Sequence, residues 1–152
     1  MNEFKDIHVG GTIRTPEIEF NHLTGELVLS GRSIPKNAAK VYDPLMEWIN
    51  TYIKTPQETT NLHLKLEYFN SSSLIWIIKL IKLLSKIKRD ESVLYINLYI
   101  ENDDFEMKEA DELKNIICSV FDDIGELKVS IGIKIMGTDS NGKVVDESII
   151  MI

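Results

Sequence analysis

Residues 61–84 read NLHLKLEYFNSSSLIWIIKLIKLL, and two periodicities meet inside that run. Leu62, Leu64, Leu66 and Tyr68 alternate with His63, Lys65, Glu67 and Phe69, the period of a β-strand with one apolar side. From Ser71 to Asp90 the apolar positions recur every three and four residues, which predicts an amphipathic helix of about five turns. Between the two periods stand Asn70 and three consecutive hydroxyls, Ser71, Ser72 and Ser73.

The flanking sequence repeats this strand-and-helix pattern. Upstream, TPEIEFNHLTGELVLSGRSI (15–34) sets Ile18 and Phe20 against Glu17 and Glu19, and Leu27 and Leu29 against Val28 and Ser30. Asn21 and Gly25 lie between, so a β-hairpin is expected. In PKNAAKVYDPLMEWINTYIKTP (35–56), Val41, Leu45, Trp48, Ile49, Tyr52 and Ile53 keep helical spacing. Pro44 puts the start of that helix near Asp43, with Asp43 as N-cap, or else a kink at the proline. Downstream come a strand at Val93 to Ile100, a helical segment at Phe105 to Phe121 and a strand at Lys128 to Met136.

The order β-β-α-β-α-β-α-β predicts one α/β domain over 1–152, with a mostly parallel sheet and an N-terminal β-hairpin. Residues 1–11 are read as loose. Lys65, Glu67, Asn97, Ser130 and Lys134 polarise the second side of the strands, so the helices are expected mainly on one face. Residues 137–152 form a C-terminal extension, VVDESIIMI after the turn TDSNGK, read as an edge strand or a partner-pairing segment.

Composition narrows the function classes. The 152 residues carry 17 basic and 24 acidic side chains, net −7, which argues against nucleic acid and anionic membranes as partners. The greasiest stretch, Leu74 to Leu84, is interrupted by Lys79 and Lys82 and falls short of the roughly 20 apolar residues of a membrane span. The single Cys118 lies among Ile116, Ile117 and Val120, as a small core residue would, and a cytoplasmic location is expected.

Catalytic signals are sparse. His8, His22 and His63 are scattered, and neither CxxC nor HExxH occurs, so no metal or cofactor is expected. Gly10-Gly11-Thr12 lacks the lysine of a phosphate loop. Asp103, Asp104 and Glu106 stand where a helix begins and suit its positive end.

The serine junction holds the most specific chemistry. Capping the helix needs one side-chain acceptor, supplied by Asn70 or Ser71. The remaining hydroxyls face the positive end of the helix, where a phosphate is bound or tolerated as a covalent group. At about 100° per residue, Ser72, Ile75, Trp76, Lys82, Leu83 and Lys86 fall within roughly 60° of Lys79. That stripe reads either as a basic docking surface with an aromatic anchor or as Trp76 leaning into a neighbouring helix.

The segments TPEIEFNHLTGELVLSGRSIPKN and LHLKLEYFNSSSLIWIIKLIKLL resemble the SiaC family of bacterial regulatory phosphoproteins, relatives of STAS-type anti-sigma factor antagonists. The likeness is carried by Thr15-Pro16-x-Ile18, by G-x-S-x-P-x-N at Gly31 to Asn37, and by the serine junction. It implies a STAS-like fold and a non-enzymatic partner switch. It also implies a Ser/Thr protein kinase, a PP2C-type phosphatase, and a GGDEF diguanylate cyclase effector bound and activated by the unphosphorylated form, with cyclic di-GMP and biofilm control as output. The family's Asn-Thr-Ser-Ser stretch maps the acceptor onto Ser71, with Ser72 as the alternate. The expected partner surface comprises Asn70, Ser72, Trp76, Lys79, Lys82 and Leu83. Two other readings stand beside it: a STAS-type sensor of a small ligand or nucleotide at the same helix start, and an enzyme assembled in space around His63.

Overall fold

The structure is a computed structural model describing residues 4–101, 104–122, 125 and 127–152, with side chains of the segment 104–122 described from Glu112 onward. Seven strands form one sheet in sequence order: β1 (Ile7–Val9), β2 (Glu17–Asn21), β3 (Glu26–Ser33), β4 (Thr59–Phe69), β5 (Val93–Glu101), β6 (Ser130–Thr138) and β7 (Val144–Met151). The helices are α1 (Ala38–Tyr52), α2 (Ser71–Leu84) and α3 (Asp104–Asp122). The side chains of Asp103, Asp104 and Glu106, read above as helix-start charges, lie outside the described residues.

The expectation of a mostly parallel sheet is corrected: the sheet is mixed. Helical crossovers make β3–β4, β4–β5 and β5–β6 parallel, whereas β1–β2, β2–β3 and β6–β7 are antiparallel. Each end of the sheet is built by a chain reversal instead of a helix. At the start, Ile7–Val9 is tied to Ile18–Phe20 where the sequence suggested loose chain. At the other end, TDSNGK folds back on itself: Asp139 Oδ1 accepts the amides of Asn141 (2.8 Å) and Lys143 (3.0 Å), and Gly142 takes φ +83. The tail is therefore an edge strand.

Across the sheet, Phe20, Leu27, Leu62, Ile96 and Ile133 lie in register, as do Ile18, Leu29, Leu64, Leu98 and Ile135. All ten are buried and share one core with apolar side chains of the three helices. The helices thus cover one face, as the polar second side of the strands implied. On the open face Asn97 is buried but satisfied by Asn61 Oδ1 and the Leu62 carbonyl (both 3.3 Å).

Three local readings change. First, α1 begins at Ala38, capped by Asn37, and Pro44 lies inside it. An interior proline costs about 3 kcal/mol. Burying Tyr42, Leu45, Trp48, Ile49 and Tyr52, at about 1.5–3 kcal/mol for each large apolar side chain, outweighs it. Second, α2 stops at Leu84, about four turns. Third, the strict alternation of β4 breaks. The register slips between Gly31 and Arg32, which puts Tyr68 opposite Arg32 and Phe69 opposite Ser33. Tyr68 therefore leaves the leucine side, is 61% exposed, and lies under the Arg32 guanidinium.

Candidate functional site at the start of helix α2

Asn70 follows β4 in an extended conformation (φ −91, ψ 175) and caps α2. Its Oδ1 accepts the Ser73 amide at 2.9 Å and the Ser72 hydroxyl at 3.0 Å, and its own amide donates to the Ser33 carbonyl at 3.0 Å. The cap is thus Asn70, one of the two candidates weighed from sequence.

The three serines have different environments. Ser73 is fully buried and donates to the Ser33 carbonyl at 2.8 Å. Its Oγ also lies 2.7 Å from Ser33 Oγ, which is 2.6 Å from the Tyr42 hydroxyl. With one proton on each hydroxyl, a single ordering satisfies the chain: Tyr42 donates to Ser33 Oγ, Ser33 to Ser73 Oγ, and Ser73 to the Ser33 carbonyl. Burial pushes the Tyr42 phenol above its ordinary range, partly offset by its hydrogen bonding with Ser33 and Ser73. Ser72 is exposed and engaged with Asn70. Ser71 is exposed, and its hydroxyl has no hydrogen-bond partner among the described residues.

Sequence reasoning missed Ser33 and Tyr42, which seat this junction. The available signal was the G-x-S-x-P-x-N segment. Gly31 supplies φ +91 at the register slip, Ser33 the buried hydroxyl, and Asn37 the cap of α1.

The positions of the expected stripe differ in exposure. Ser72, Ile75, Lys79, Lys82 and Lys86 are exposed. Trp76 is half-buried: it stacks on Tyr42 of α1 (centroids 6.2 Å, interplanar 13°) and carries Lys79 Nζ 4.5 Å above its ring. Trp76 thus leans on the neighbouring helix while part of its ring stays exposed. Leu83 does not belong to the surface. It is 8% exposed, because α2 is flanked by both α1 and α3 and buries a wider arc than a helix with one neighbour. Conversely, Tyr68, Phe69 and Ile75, all exposed, flank the serines in the chain.

α2 has no acidic residue in its first turn, so nothing there offsets the positive helix end beside Ser71. His63 is not brought to the serines. It lies on the open face, with Nδ1 2.7 Å from the Tyr99 hydroxyl and Nε2 2.8 Å from Glu26 Oε2. Two shallow clefts of about 420 and 410 Å³ lie elsewhere, one by Pro56 and Arg89, the other by Asp6 and Glu26. Among the described residues one group could bring three metal-ligand atoms together, exposed His8, Glu17 and Glu19, within 4.8 Å of one another. Among the described residues no helix is long and apolar enough to cross a membrane.

The chain is thus a one-sided α/β domain whose capped helix start presents an exposed serine hydroxyl. The chain belongs to the SiaC family of regulatory phosphoproteins, whose family model matches residues 9–124. An uncharacterized protein of Pseudomonas aeruginosa (strain UCBPP-PA14) is 30% identical over 81 residues, covering 53% of this chain and 64% of that relative, less than two thirds of its length. The crystal structure of apo-SiaC from P. aeruginosa shares the fold, with TM-score 0.64 and 23% identity over 76% of this chain and 91% of the other. SiaC as seen in complex with the diguanylate cyclase SiaD, which it activates, gives TM-score 0.65 and 23% identity over 72% and 91%.

Proposed function

We propose that the chain is a non-enzymatic partner switch whose state is set at Ser71. Unphosphorylated, it binds and activates a diguanylate cyclase; phosphorylated by a Ser/Thr kinase, it lets go, and a PP2C-type phosphatase resets it. The output is cyclic di-GMP and biofilm control in the cytoplasm, and the STAS-like kinship of the fold is part of the same reading.

The observation that carries this is the division of labour among the serines. Capping already has Asn70, the core already has Ser73, and Ser72 is held by Asn70, so the exposed hydroxyl left over is that of Ser71. A phosphate there adds about −1.5 to −2 charge at the start of a helix that tolerates it. Exposed Tyr68, Phe69 and Ile75, with half-buried Trp76 and the Lys79–Lys82 stripe, supply the apolar anchors and charged rim of a partner surface. The cyclase partner is supported by family membership and by the SiaD complex of the structural relative.

The test is pull-down and cyclase activation with wild type, Ser71→Ala and Ser71→Asp, using a GGDEF cyclase from the same organism. Ser71→Ala should bind and activate, and Ser71→Asp should do neither. Equal binding by both variants refutes the switch.

A further inference from the structure

We infer that His8, Glu17 and Glu19 form a binding site for a divalent transition-metal ion, zinc by the chemistry of its donors, that joins β1 to β2. The site lies on the face of the sheet away from the helices, and the inference does not depend on the phosphoswitch.

The register of the first two strands brings the donors together. β1 pairs with β2 so that His8 stands directly opposite Glu19. Ile18 and Phe20 turn into the core, so Glu17 and Glu19 share the other face with His8. One imidazole nitrogen and one oxygen from each carboxylate lie within 4.8 Å of one another. A tetrahedral zinc with bonds of about 2.0–2.2 Å sets its ligand atoms about 3.3–3.6 Å apart. His8 Nε2 and Glu19 Oε1, 3.4 Å apart, already span one such edge. Glu17 is exposed and has no ion-pair partner among the described residues, so its side chain can rotate onto the third vertex.

The donor set selects the ion. Magnesium and calcium take shells of about six to eight oxygens, whereas an imidazole nitrogen beside carboxylates suits zinc and its first-row neighbours. A second feature of the same place points to a cation. His8 and Glu19 border the cleft of about 410 Å³, whose wall also carries the carboxylates of Asp6 and Glu26, and none of its lining residues is lysine or arginine. The one-signed field of such a cleft concentrates cations at its rim. No sequence motif announces the site, because its ligands meet across two strands and not along one helix. β1 has three residues and a single neighbour in the sheet, so an ion held by His8 on one side and by both glutamates on the other reinforces a short ladder.

Zinc chloride titrated into the full chain by isothermal calorimetry should bind as one ion per chain and raise the melting temperature, and magnesium chloride should do neither. Loss of an outer-shell partner alone weakens a metal site about 10–100-fold, so His8→Ala and the pair Glu17→Gln/Glu19→Gln should each weaken zinc binding by at least about tenfold. All three side chains are exposed, so both variants should melt with the wild type in the absence of metal. Cys118→Ala should bind zinc as the wild type does, which separates this site from the free thiol. A wild type that takes up no zinc, magnesium bound as tightly as zinc, undiminished binding by either ligand variant, or loss of binding in Cys118→Ala would overturn the inference.

Discussion

Ser33 Oγ and Ser73 Oγ lie 2.7 Å apart with no solvent exposure on either residue, although 40 positions separate them in the chain. This contact ties the end of β3 to the first turn of α2 and, through Tyr42, to α1. The two partners are not equivalent. Ser33→Ala removes the hydroxyl 2.6 Å from the buried Tyr42 phenol and should cost about 1–3 kcal/mol. Ser73→Ala leaves Ser33 Oγ bonded to Tyr42 and the Ser33 carbonyl bonded to the Asn70 amide, so it should cost about 1 kcal/mol or less. Urea unfolding of the two variants gives the comparison, and the reverse order would contradict the proton ordering assigned to the network.

The same network predicts an alkaline limit. Burial raises the Tyr42 phenol in the folded state, so the unfolded chain ionises first, near pH 10. Above that pH the folded state holds more protons than the unfolded one, and stability falls as pH rises. Tyr99 adds to the effect, raised by burial and by Glu26 and Glu147. Tyr42→Phe should be less stable at neutral pH through its lost hydrogen bond, yet decline less steeply above pH 10, and Tyr42→Phe/Tyr99→Phe less steeply still. Chemical unfolding at stepped alkaline pH measures the slopes, and parallel slopes would dismiss the assignment.

Two glycines with positive φ separate conformational strain from contact. Gly142 has φ +83 and open space around it, so Gly142→Ala should cost only the left-handed penalty, about 1–2 kcal/mol. Gly25 has φ +74, and a Cβ there would lie 2.4 Å from the Thr59 carbonyl oxygen. Gly25→Ala should therefore cost at least about 3 kcal/mol, because the hairpin turn must move away from β4. Thermal melts of both variants test the gap.

The elements of this fold were legible wherever local period records a local fact. Leu62-x-Leu64 and the Leu27/Leu29 pair announce strands, and Ile77, Leu80, Ile81 and Leu84 announce a helix, because each period maps directly onto a buried side. What period cannot record is a neighbour. The slip at Gly31 that turns Tyr68 outward depends on β3, and the burial of Leu83 depends on α2 having a helix on both sides. The identity of Ser73 as a core residue depends on Ser33 reaching it. The junction was therefore visible as a candidate site, while the separate environments of its serines were not.

The basic stripe separates binding from folding. Lys79 and Lys82 are exposed, so Lys79→Glu/Lys82→Glu should leave stability within about 0.5 kcal/mol of wild type. Cyclase pull-down by that variant should weaken, with a reduced dependence on salt. Leu83→Ala, in the core, should cost about 2–5 kcal/mol. A double charge reversal with undiminished binding would remove the stripe from the partner surface.

Ser71→Asp carries the last prediction, because folding and function should move in opposite directions. The first turn of α2 holds no acid, and Ser71 stands at its positive end. A carboxylate there should stabilise the domain by about 0.3–1 kcal/mol at low ionic strength, and Ser71→Lys should destabilise it by a similar amount. Both effects should shrink as salt shortens the screening length from about 10 Å at 0.1 M to about 3 Å at 1 M. Partner binding, by contrast, should be lost in Ser71→Asp and kept in Ser71→Ala. A variant that is more stable yet does not bind excludes unfolding as the cause and places the effect in the charge presented at the helix start. If Ser71→Asp were instead less stable than wild type at low salt, the favourable helix-end field assigned to this junction would be wrong, and its loss of binding would no longer count in favour of a switch.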